Sequence, residues 1–562
     1  MEHSRKEFYA AWTQAVFPGP GNKVSEQSVS VSNPMNPLDY SRYAQQLVVA
    51  RPELREELES AREGGWTREQ MRAFLRDGAS EDEPHARLRQ LRQRVLLRTM
   101  ARDLSDIAPL QEVCGAMSAL AEVAIVEALA FLEPRMAQGA SRPRLTVVGM
   151  GKLGGGELNV SSDIDLVFLY PEEDHAAGNL EYFTRLGRRL IAALGERTED
   201  GFVFRVDMRL RPWGDGGALA TSLGALEEYF VTQGREWERY AWIKARALGG
   251  DDEALAAIVR PFVYRKYLDY GTFAAMRELH SEIRAEVARR ELSNQIKLGP
   301  GGIREIEFVA QAFQLIRGGR DPALQVRPTL AVLGLLAQKG LLPAAAFGEL
   351  SEAYVFLRRL EHRLQYLDDA QTHELPGNPA DRLLVARAMG FADWDSFAVA
   401  LDAHRSRVSW HFEQLFSVEE VPKHALASLW AGENAEERLA QLGFRDAAGA
   451  AGRLAAVRAS ARYRSLPEAS RSRFDALIPR VIEASGERAD ADATLKRFLD
   501  LIETISRRAA YLGVLQTKPS TGNGTSFSGR ALPDRSRAAS SWGNQTRICG
   551  CLSSISRPGG MW

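Results

Sequence analysis

The chain has 562 residues, of which 45% are hydrophobic and 26% charged, and its 72 basic and 73 acidic side chains leave a net charge of −1. This length and composition predict a globular protein of several domains and exclude a disordered or fibrous one. The near-zero net charge gives no whole-chain signal for nucleic acid or an anionic membrane, so we expect neither as a partner.

Two further features bear on the compartment. Three cysteines are too few for a disulfide scaffold. No uninterrupted apolar run approaches the roughly 18 residues of a transmembrane helix, and the N-terminus leads into no apolar signal sequence. We therefore expect a cytoplasmic protein.

Most of the chain shows the periodicity of helices. Apolar residues recur every three or four positions over residues 38–135, and this spacing returns from about residue 222 to 512. Between these regions, short β-branched or aromatic runs separated by glycines predict strands at 145–148, 164–170 and 201–210. We predict a mostly helical α+β fold with one small α/β module between helical domains.

The changes in pattern predict five segments. They are a helical region at 1–140, the α/β module at 141–290, a helical bundle at 291–420, a helical linker at 421–516 and a tail at 517–562. The tail is rich in Ser, Gly and Arg and has one acidic residue. It is interpreted either as a disordered segment or as a stretch translated out of frame.

A glycine-rich segment between the first two predicted strands resembles two known phosphate-binding loops. Gly149, Gly151 and Gly154 fit the G-x-G-x-x-G fingerprint, but the next strand follows too soon for the helix of a βαβ unit. The Gly151–Lys152 pair resembles a Walker loop, but Leu153 stands where Ser or Thr would hold the metal. Both motifs are rejected.

Paired carboxylates follow the glycines. Asp163 and Asp165 open a strand with the spacing i, i+2, which places both side chains on one face. Two carboxylates so close repel unless a cation lies between them, and their hard oxygen ligands suit Mg²⁺. An isolated Asp-x-Asp pair is more often a solvated strand end, so this pair needs a second signal.

The second signal is an alternating run at residues 204–211. It predicts a strand whose one face carries Arg205, Asp207, Arg209 and Arg211 and whose other face is apolar. A third carboxylate among guanidinium groups suits a polyphosphate and its metal. Together the loop and the three aspartates favour metal-dependent nucleotidyl transfer, in which metal ions stabilise both the entering and the leaving oxygen.

These motifs resemble the DNA polymerase β-like nucleotidyltransferase superfamily. Within it, the chain is similar to the family of bifunctional glutamine synthetase adenylyltransferase/adenylyl-removing enzymes over about residues 35–515. The segments that carry this resemblance are 149–166, 205–212, 237–246 and 298–308.

The resemblance implies a set of site residues. Asp163, Asp165 and Asp207 would be the catalytic groups and would hold Mg²⁺ as the cofactor. The implied phosphate and nucleotide contacts are Gly151, Lys152, Gly154, Gly155, Ser162, Arg205, Arg209 and Lys244. Lys152 stands where the superfamily usually has serine. Lys244, placed on a helix with Arg246, suits a phosphate contact and a salt bridge equally well.

The resemblance also implies the reaction. Family members carry two such modules, of which the N-terminal one removes AMP from a tyrosine of glutamine synthetase by phosphorolysis and the C-terminal one adds AMP from ATP. This sequence shows one such module, so we expect removal, with adenylylated glutamine synthetase, a PII signalling protein, inorganic phosphate and ADP or ATP as partners. The alternatives are adenylylation from ATP and a non-catalytic regulatory fragment. A DNA-repair polymerase lacks support because no basic patch is evident.

Three other features give weaker predictions. The glycines at 299–302 suit either a phosphate contact or a loop-to-helix joint. Residues 357–365 read as an amphipathic structural helix. His362 and His373 have no spacing partner for a metal, which predicts polar surface or capping residues.

Overall fold

The protein is described here by a computed structural model. The described residues are 35–77, 84–137, 143–171, 179–265, 294–416 and 429–505, without the single positions 431, 433, 467, 487 and 489. The predicted tail at 517–562 lies outside them. The described chain is mostly helical and carries one small mixed sheet, which confirms the predicted fold class. The five predicted segment boundaries stay predictions.

The helices precede, interrupt and follow the sheet. Those before the first strand are α1 Pro37–Tyr40, α2 Arg42–Ala50, α3 Arg55–Glu59, α4 Arg68–Arg76, α5 Pro84–Leu104 and α6 Leu110–Ala137. Those between the strands are α7 Gly151–Gly155, α8 Asn179–Gly195, α9 Leu223–Thr232 and α10 Glu236–Trp242. Those after the last strand are α11 Asp252–Val263, α12 Ile303–Arg317, α13 Thr329–Gln338, α14 Ala344–Tyr366, α15 Pro379–Ala388, α16 Trp394–Phe416, α17 Ala435–Gln441, α18 Ala447–Ala459, α19 Ala461–Arg464, α20 Glu468–Gly486 and α21 Ala491–Ile505.

Several helices begin where the sequence supplies an N-cap. The Ser41 hydroxyl accepts from the third backbone N–H of α2, and the Asp251 carboxylate does the same for α11. Thr67 and Gln70 form a reciprocal capping box at the start of α4. Such caps satisfy backbone donors that have no partner inside the helix.

The sheet has five strands. They are β1 Thr146–Gly149, β2 Asp163–Tyr170, β3 Arg205–Asp207, β4 Ala220–Ser222 and β5 Arg246–Gly249. β1 lies antiparallel between β2 and β5. β3 and β4 both run parallel to β2 and pair with its first and second halves, respectively. This arrangement places the starts of β2 and β3 side by side.

Two of the predicted strands are confirmed and the third is shorter than predicted. β1 and β2 lie within one or two residues of their predicted positions, whereas β3 covers only Arg205–Asp207. The helical pattern predicted from residue 222 onward is interrupted by β5, so the prediction that Lys244 and Arg246 lie on a helix is wrong. β4 and β5 have three and four residues, too short to give a clear period of two.

One hydrophobic core joins the sheet to the helices α1–α16, and residues 429–499 form a second apolar cluster. α6 packs against α4, α5, α8 and β5 in the first core. Within the described part of the chain, α6 is also the one helix long and apolar enough to cross a membrane. Since 67% of its apolar window is buried inside the protein, α6 has the burial of a core helix.

Candidate active site

The glycine loop, residues 149–156, joins β1 to the chain that leads into β2. Its centre is the single helical turn α7, which ends at Gly156 in the left-handed conformation with φ of +71°. A Cβ atom on Gly154 would lie 2.1 Å from the carbonyl oxygen of Lys244, so only glycine allows this approach. Because β1 and β2 are antiparallel, the βαβ unit of a dinucleotide fold is excluded, as predicted.

The three predicted carboxylates lie at the edge where β2 and β3 begin. In the register of these strands, Asp163 is paired with Arg205 and Asp165 with Asp207. The loop is joined directly to this edge, since the Met150 N–H donates to the Asp165 carbonyl oxygen over 2.9 Å. A Cβ atom on Gly151 would lie 3.0 Å from Asp165 Oδ2. The absence of a side chain there leaves space beside the carboxylate.

The pKa of Asp165 is shifted strongly by its surroundings. Burial, followed by the negative charges of Asp163 and Asp207, raises its pKa from 3.8 to about 7. Lys297 and Arg209 oppose this effect without cancelling it. A carboxyl group held in this way gains from any cation placed among the three acids.

Asp207 is engaged by its own neighbour on the chain. The Arg209 guanidinium donates to both Asp207 oxygens, with Nε–Oδ2 at 2.8 Å, and the Arg209 backbone N–H donates to Oδ1. This is possible because the strand ends at Asp207 and the chain then turns, so the predicted alternation does not continue to Arg211. Arg211 instead donates to the Met208 carbonyl oxygen at 2.8 Å.

The donor set suits Mg²⁺. Three carboxylates with hard oxygens lie close enough that the charges of Asp163 and Asp207 raise the pKa of Asp165. Among the described residues, no three Asp, Glu, His or Cys side chains converge at metal-binding distances. Asp207 contacts Arg209 instead, so its role as a metal ligand stays a prediction.

The Lys152 side chain is directed into the protein interior, where it contacts a residue of the helical region. Its Nζ donates to both oxygens of Glu361 on α14, each over 3.0 Å. The Lys152 side chain is 13% exposed, and burial lowers its pKa to about 8. Burial opposes ionisation of Glu361 as well, but Lys152 and His373 hold the pKa of that carboxyl well below its usual range. The predicted phosphate contact of Lys152 stays a prediction.

Lys244 lies in the turn between α10 and β5. Its Nζ donates to Glu157 Oε2 at 2.7 Å and to Thr329 Oγ1 at 3.1 Å. Burial lowers its pKa, but the carboxylates of Glu157 and Glu307 outweigh this and raise it. Of the two roles left open by the sequence, the structure shows the salt bridge. Gly155 lies against the same group, since a Cβ atom there would be 3.0 Å from Glu157 Oε2.

The remaining predicted contacts lie at the start of β2. Arg205 donates to the carbonyl oxygen of Ser161 at 2.8 Å and to its hydroxyl at 3.0 Å. This guanidinium therefore stabilises the segment directly before β2. Ser162 is buried directly before Asp163. Arg209 is the exposed cation, with 69% of its side chain accessible. Their phosphate contacts stay predictions.

The sequence analysis missed the buried charges that hold the glycine loop. Arg358 is fully buried and donates to the Glu157 carbonyl oxygen and to Asn159 Oδ1, both at 2.6 Å. Gln365 accepts from the Ser161 N–H at 3.0 Å. With Glu361, these residues occupy positions i, i+3 and i+7, which share one face of a helix. This spacing of polar residues along one helix face was the available signal.

Three weaker predictions are also settled. The predicted amphipathic helix, residues 357–365, lies within α14 and is buried except at Arg359, whose side chain is 35% exposed, so little of the expected solvated face is present. The prediction that His362 is a surface or capping residue is wrong, because it is fully buried with Nδ1 3.6 Å from Asp103. The glycines at 299–302 form the joint that precedes α12. The Gly301 N–H donates there to Glu305 at 3.1 Å.

A glycine loop above paired aspartates, on a small mixed sheet within helices, defines a module of the nucleotidyltransferase type. Comparison with known families agrees with this class. The profile described as glutamate-ammonia ligase adenylyltransferase matches residues 35–260, and the profile described as GlnD PII-uridylyltransferase matches residues 274–416.

Three curated relatives are similar to this chain over most of its length. The bifunctional glutamine synthetase adenylyltransferase/adenylyl-removing enzyme of Chromobacterium violaceum is 52% identical over 505 residues, which cover 86% of this chain and 56% of the relative. The enzyme of the same name from Aromatoleum aromaticum is 53% identical over 498 residues, which cover 85% of this chain and 53% of the relative. The one from Pseudomonas aeruginosa is 46% identical over 497 residues, covering 83% and 51%.

The predicted resemblance is confirmed: over most of its length the chain is similar to bifunctional glutamine synthetase adenylyltransferase/adenylyl-removing enzymes. It spans about half the length of the curated relatives that it matches.

Proposed function

We propose that this chain removes AMP from adenylylated glutamine synthetase by phosphorolysis, giving ADP and the free tyrosine. The observation that carries this proposal is the pairing of Asp165 with Asp207 across β2 and β3, beneath the glycine loop. The direction rests on the family resemblance, which implies that the N-terminal module removes AMP; the profile match at residues 35–260 supports nucleotidyl transfer in either direction.

The chemistry needs one bond to form and one to break. An oxygen of inorganic phosphate attacks the α-phosphorus of the AMP group, and the tyrosine oxygen leaves and takes up a proton. Mg²⁺ held by Asp163, Asp165 and Asp207 would supply charge stabilisation at that phosphorus. No covalent enzyme intermediate is required.

The protein's own groups have distinct tasks in this scheme. Arg209, exposed beside the carboxylates, is suited to bind phosphate oxygens once it leaves Asp207. The lack of a side chain at Gly151 leaves Asp165 Oδ2 accessible from the loop, since a Cβ atom there would lie 3.0 Å from it. Arg205 holds the entry to β2 through Ser161 and so keeps the paired acids in register.

The test uses the full chain with adenylylated glutamine synthetase, inorganic phosphate and Mg²⁺. We expect phosphate-dependent ADP formation and loss of AMP from the synthetase, and we expect Asp163→Asn to abolish both. A parallel assay measures transfer of label from α-labelled ATP to unmodified synthetase in the presence of glutamine. Label transfer without ADP formation would reverse the proposed direction and favour adenylylation.

A regulatory role is the second candidate for the same chain. The match of residues 274–416 to a PII-uridylyltransferase profile favours a helical region concerned with nitrogen signalling. We propose a PII-type protein as the partner of the full chain. A purely non-catalytic fragment would have no need of Asp163, Asp165 and Asp207, so retention of all three favours the enzyme.

A further inference from the structure

The helix α14 reaches the glycine loop and the segment that follows it through three polar side chains. Arg358, Glu361 and Gln365, which we call the clamp, are all fully buried. They contact residues 152–161, which connect the glycine loop to β2. Glu361 binds Lys152 inside the loop, whereas Arg358 and Gln365 bind residues beyond it. The clamp therefore connects the helical region to the catalytic edge over short distances.

Glu361 is the member of the clamp best placed to affect the loop itself. Its two oxygens accept from Lys152 Nζ at 3.0 Å, and Arg358 Nε and His373 Nδ1 lie 3.2 and 2.9 Å away. A buried carboxylate with two cationic partners, here Lys152 and Arg358, fixes the orientation of both, because any other arrangement leaves a buried charge unpaired. Lys152 is thereby fixed at the second position of α7, one residue from the space beside Asp165.

We propose that Glu361 is a positioning residue that acts through Lys152 to hold the glycine loop against the catalytic carboxylates. Glu361 touches neither Asp163, Asp165 nor Asp207, so its effect must pass through the loop. This inference rests on the proposed function for its catalytic readout. It also assigns a physical contact by which the helical region, matched to the PII-uridylyltransferase profile, acts on the nucleotidyltransferase module.

The proposal differs from the role expected for Lys152 by resemblance, namely direct contact with a phosphate. In the structure the ammonium group is 3.0 Å from both Glu361 oxygens. If Lys152 bound phosphate directly, its loss would raise the KM for inorganic phosphate, and neutralising Glu361 would free the ammonium for that task. If Lys152 positions the loop, loss of either partner lowers kcat and leaves this KM nearly unchanged.

The kinetic test is a double-mutant cycle with Glu361→Gln and Lys152→Met in the full chain. We expect kcat for ADP formation to fall about 10- to 100-fold in each variant. This range is typical of residues that fix the orientation of a functional group without touching the substrate. The KM for phosphate should change by no more than about twofold. The double variant should be no worse than Lys152→Met alone, because Glu361 acts only through Lys152. Additive losses, or a raised KM in Lys152→Met, would overturn the proposal.

His373→Gln is the matched control. It removes another close partner of Glu361 and leaves the Lys152–Glu361 and Arg358–Glu361 pairs in place. We expect its kcat to stay within about twofold of the unmodified chain. A loss equal to that of Glu361→Gln would mean that the whole cluster acts as a packing unit, and it would contradict a specific path through Lys152.

A second measurement does not depend on activity. Amide hydrogen exchange reports on the backbone hydrogen bonds of the loop, in which Gly154, Gly156 and Glu157 donate to carbonyl oxygens at 2.9, 3.1 and 2.8 Å. We expect at least tenfold faster exchange there in Glu361→Gln and Lys152→Met, and no change in His373→Gln. Unchanged exchange in both test variants would refute the proposal, even if the unmodified chain forms no ADP. Faster exchange without any ADP formation would refute the proposed function alone.

Folding is checked first by circular dichroism and by the midpoint of urea unfolding. Should Glu361→Gln fail to fold, Lys152→Met decides the question by itself. A lower kcat with an unchanged KM for phosphate supports positioning, and a raised KM refutes it.

Discussion

Asp165→Asn should remove activity and at the same time stabilise the protein in metal-free buffer. The pKa of Asp165 rises from 3.8 to about 7 through burial and the charges of Asp163 and Asp207. A carboxyl group whose pKa is higher in the folded state favours folding fully below its unfolded pKa and loses that contribution as pH rises through its folded pKa. The wild-type chain should therefore lose stability between about pH 4 and pH 7.

The magnitude follows from the size of the shift. Each pKa unit corresponds to about 1.4 kcal/mol, so the ionised Asp165 costs up to about 4 kcal/mol at pH 8. This figure is a ceiling because part of the residue contacts solvent. Asparagine has the same shape without the charge. The variant should gain most at pH 8 and less than about 2 kcal/mol at pH 5.

The assay is urea unfolding at pH 5 and pH 8, with EDTA and again with Mg²⁺. Mg²⁺ should stabilise the wild-type chain and reduce the advantage of the variant, since the cation offsets the repulsion that the substitution removes. Asp215→Asn is the control, because that carboxylate is 80% exposed on the turn beyond β3. A variant no more stable than wild type at pH 8, or equal gains at both pH values, would refute the argument.

Five further substitutions test the loop, the clamp and the third carboxylate. Gly154→Ala should lower the free energy of unfolding in urea by about 3 kcal/mol or more, because its Cβ would lie 2.1 Å from a backbone carbonyl oxygen. Gly156→Ala should lower it by about 1–2 kcal/mol, because the space there is open but φ is +71°. Arg358→Met should cost about 3–5 kcal/mol in the same assay because it leaves buried partners unpaired, and a cost under about 1 kcal/mol would contradict this. Arg209→Gln should tighten Mn²⁺ binding a few-fold, measured by electron paramagnetic resonance, whereas Arg211→Gln, which removes the same charge without touching Asp207, should not.

The parts of the site that the sequence could predict are those defined by local spacing. Asp163 and Asp165 share a face because successive strand residues alternate, and β2 begins at Asp163 as the motif required. The rejection of a dinucleotide fold also rested on a short distance along the chain, and the antiparallel pairing of β1 with β2 confirms it. Both inferences need only neighbouring residues.

The contacts that the sequence could not predict join residues far apart in the chain. Lys152 and Glu361 are separated by 209 positions, and no periodicity within either segment indicates the other. The amphipathic pattern of residues 357–365 predicts a solvated face because charged residues usually mark one. That expectation fails where the charges are paired in the interior, as with Arg363 and Asp103 at 2.6 Å.

The buried ion pairs around α14 are better understood as fixing a direction than as a source of stability. Removing two charges from water costs about as much as their attraction returns, so an apolar contact would hold α14 to the module as well or better. An apolar contact, however, tolerates sliding, whereas the two oxygens of Glu361 allow Lys152 few positions. The catalytic edge needs such precision, because misplacement by about 1 Å can cost roughly 100-fold in rate. Weaker contacts between α14 and the glycine loop would therefore slow the reaction before they unfold the module.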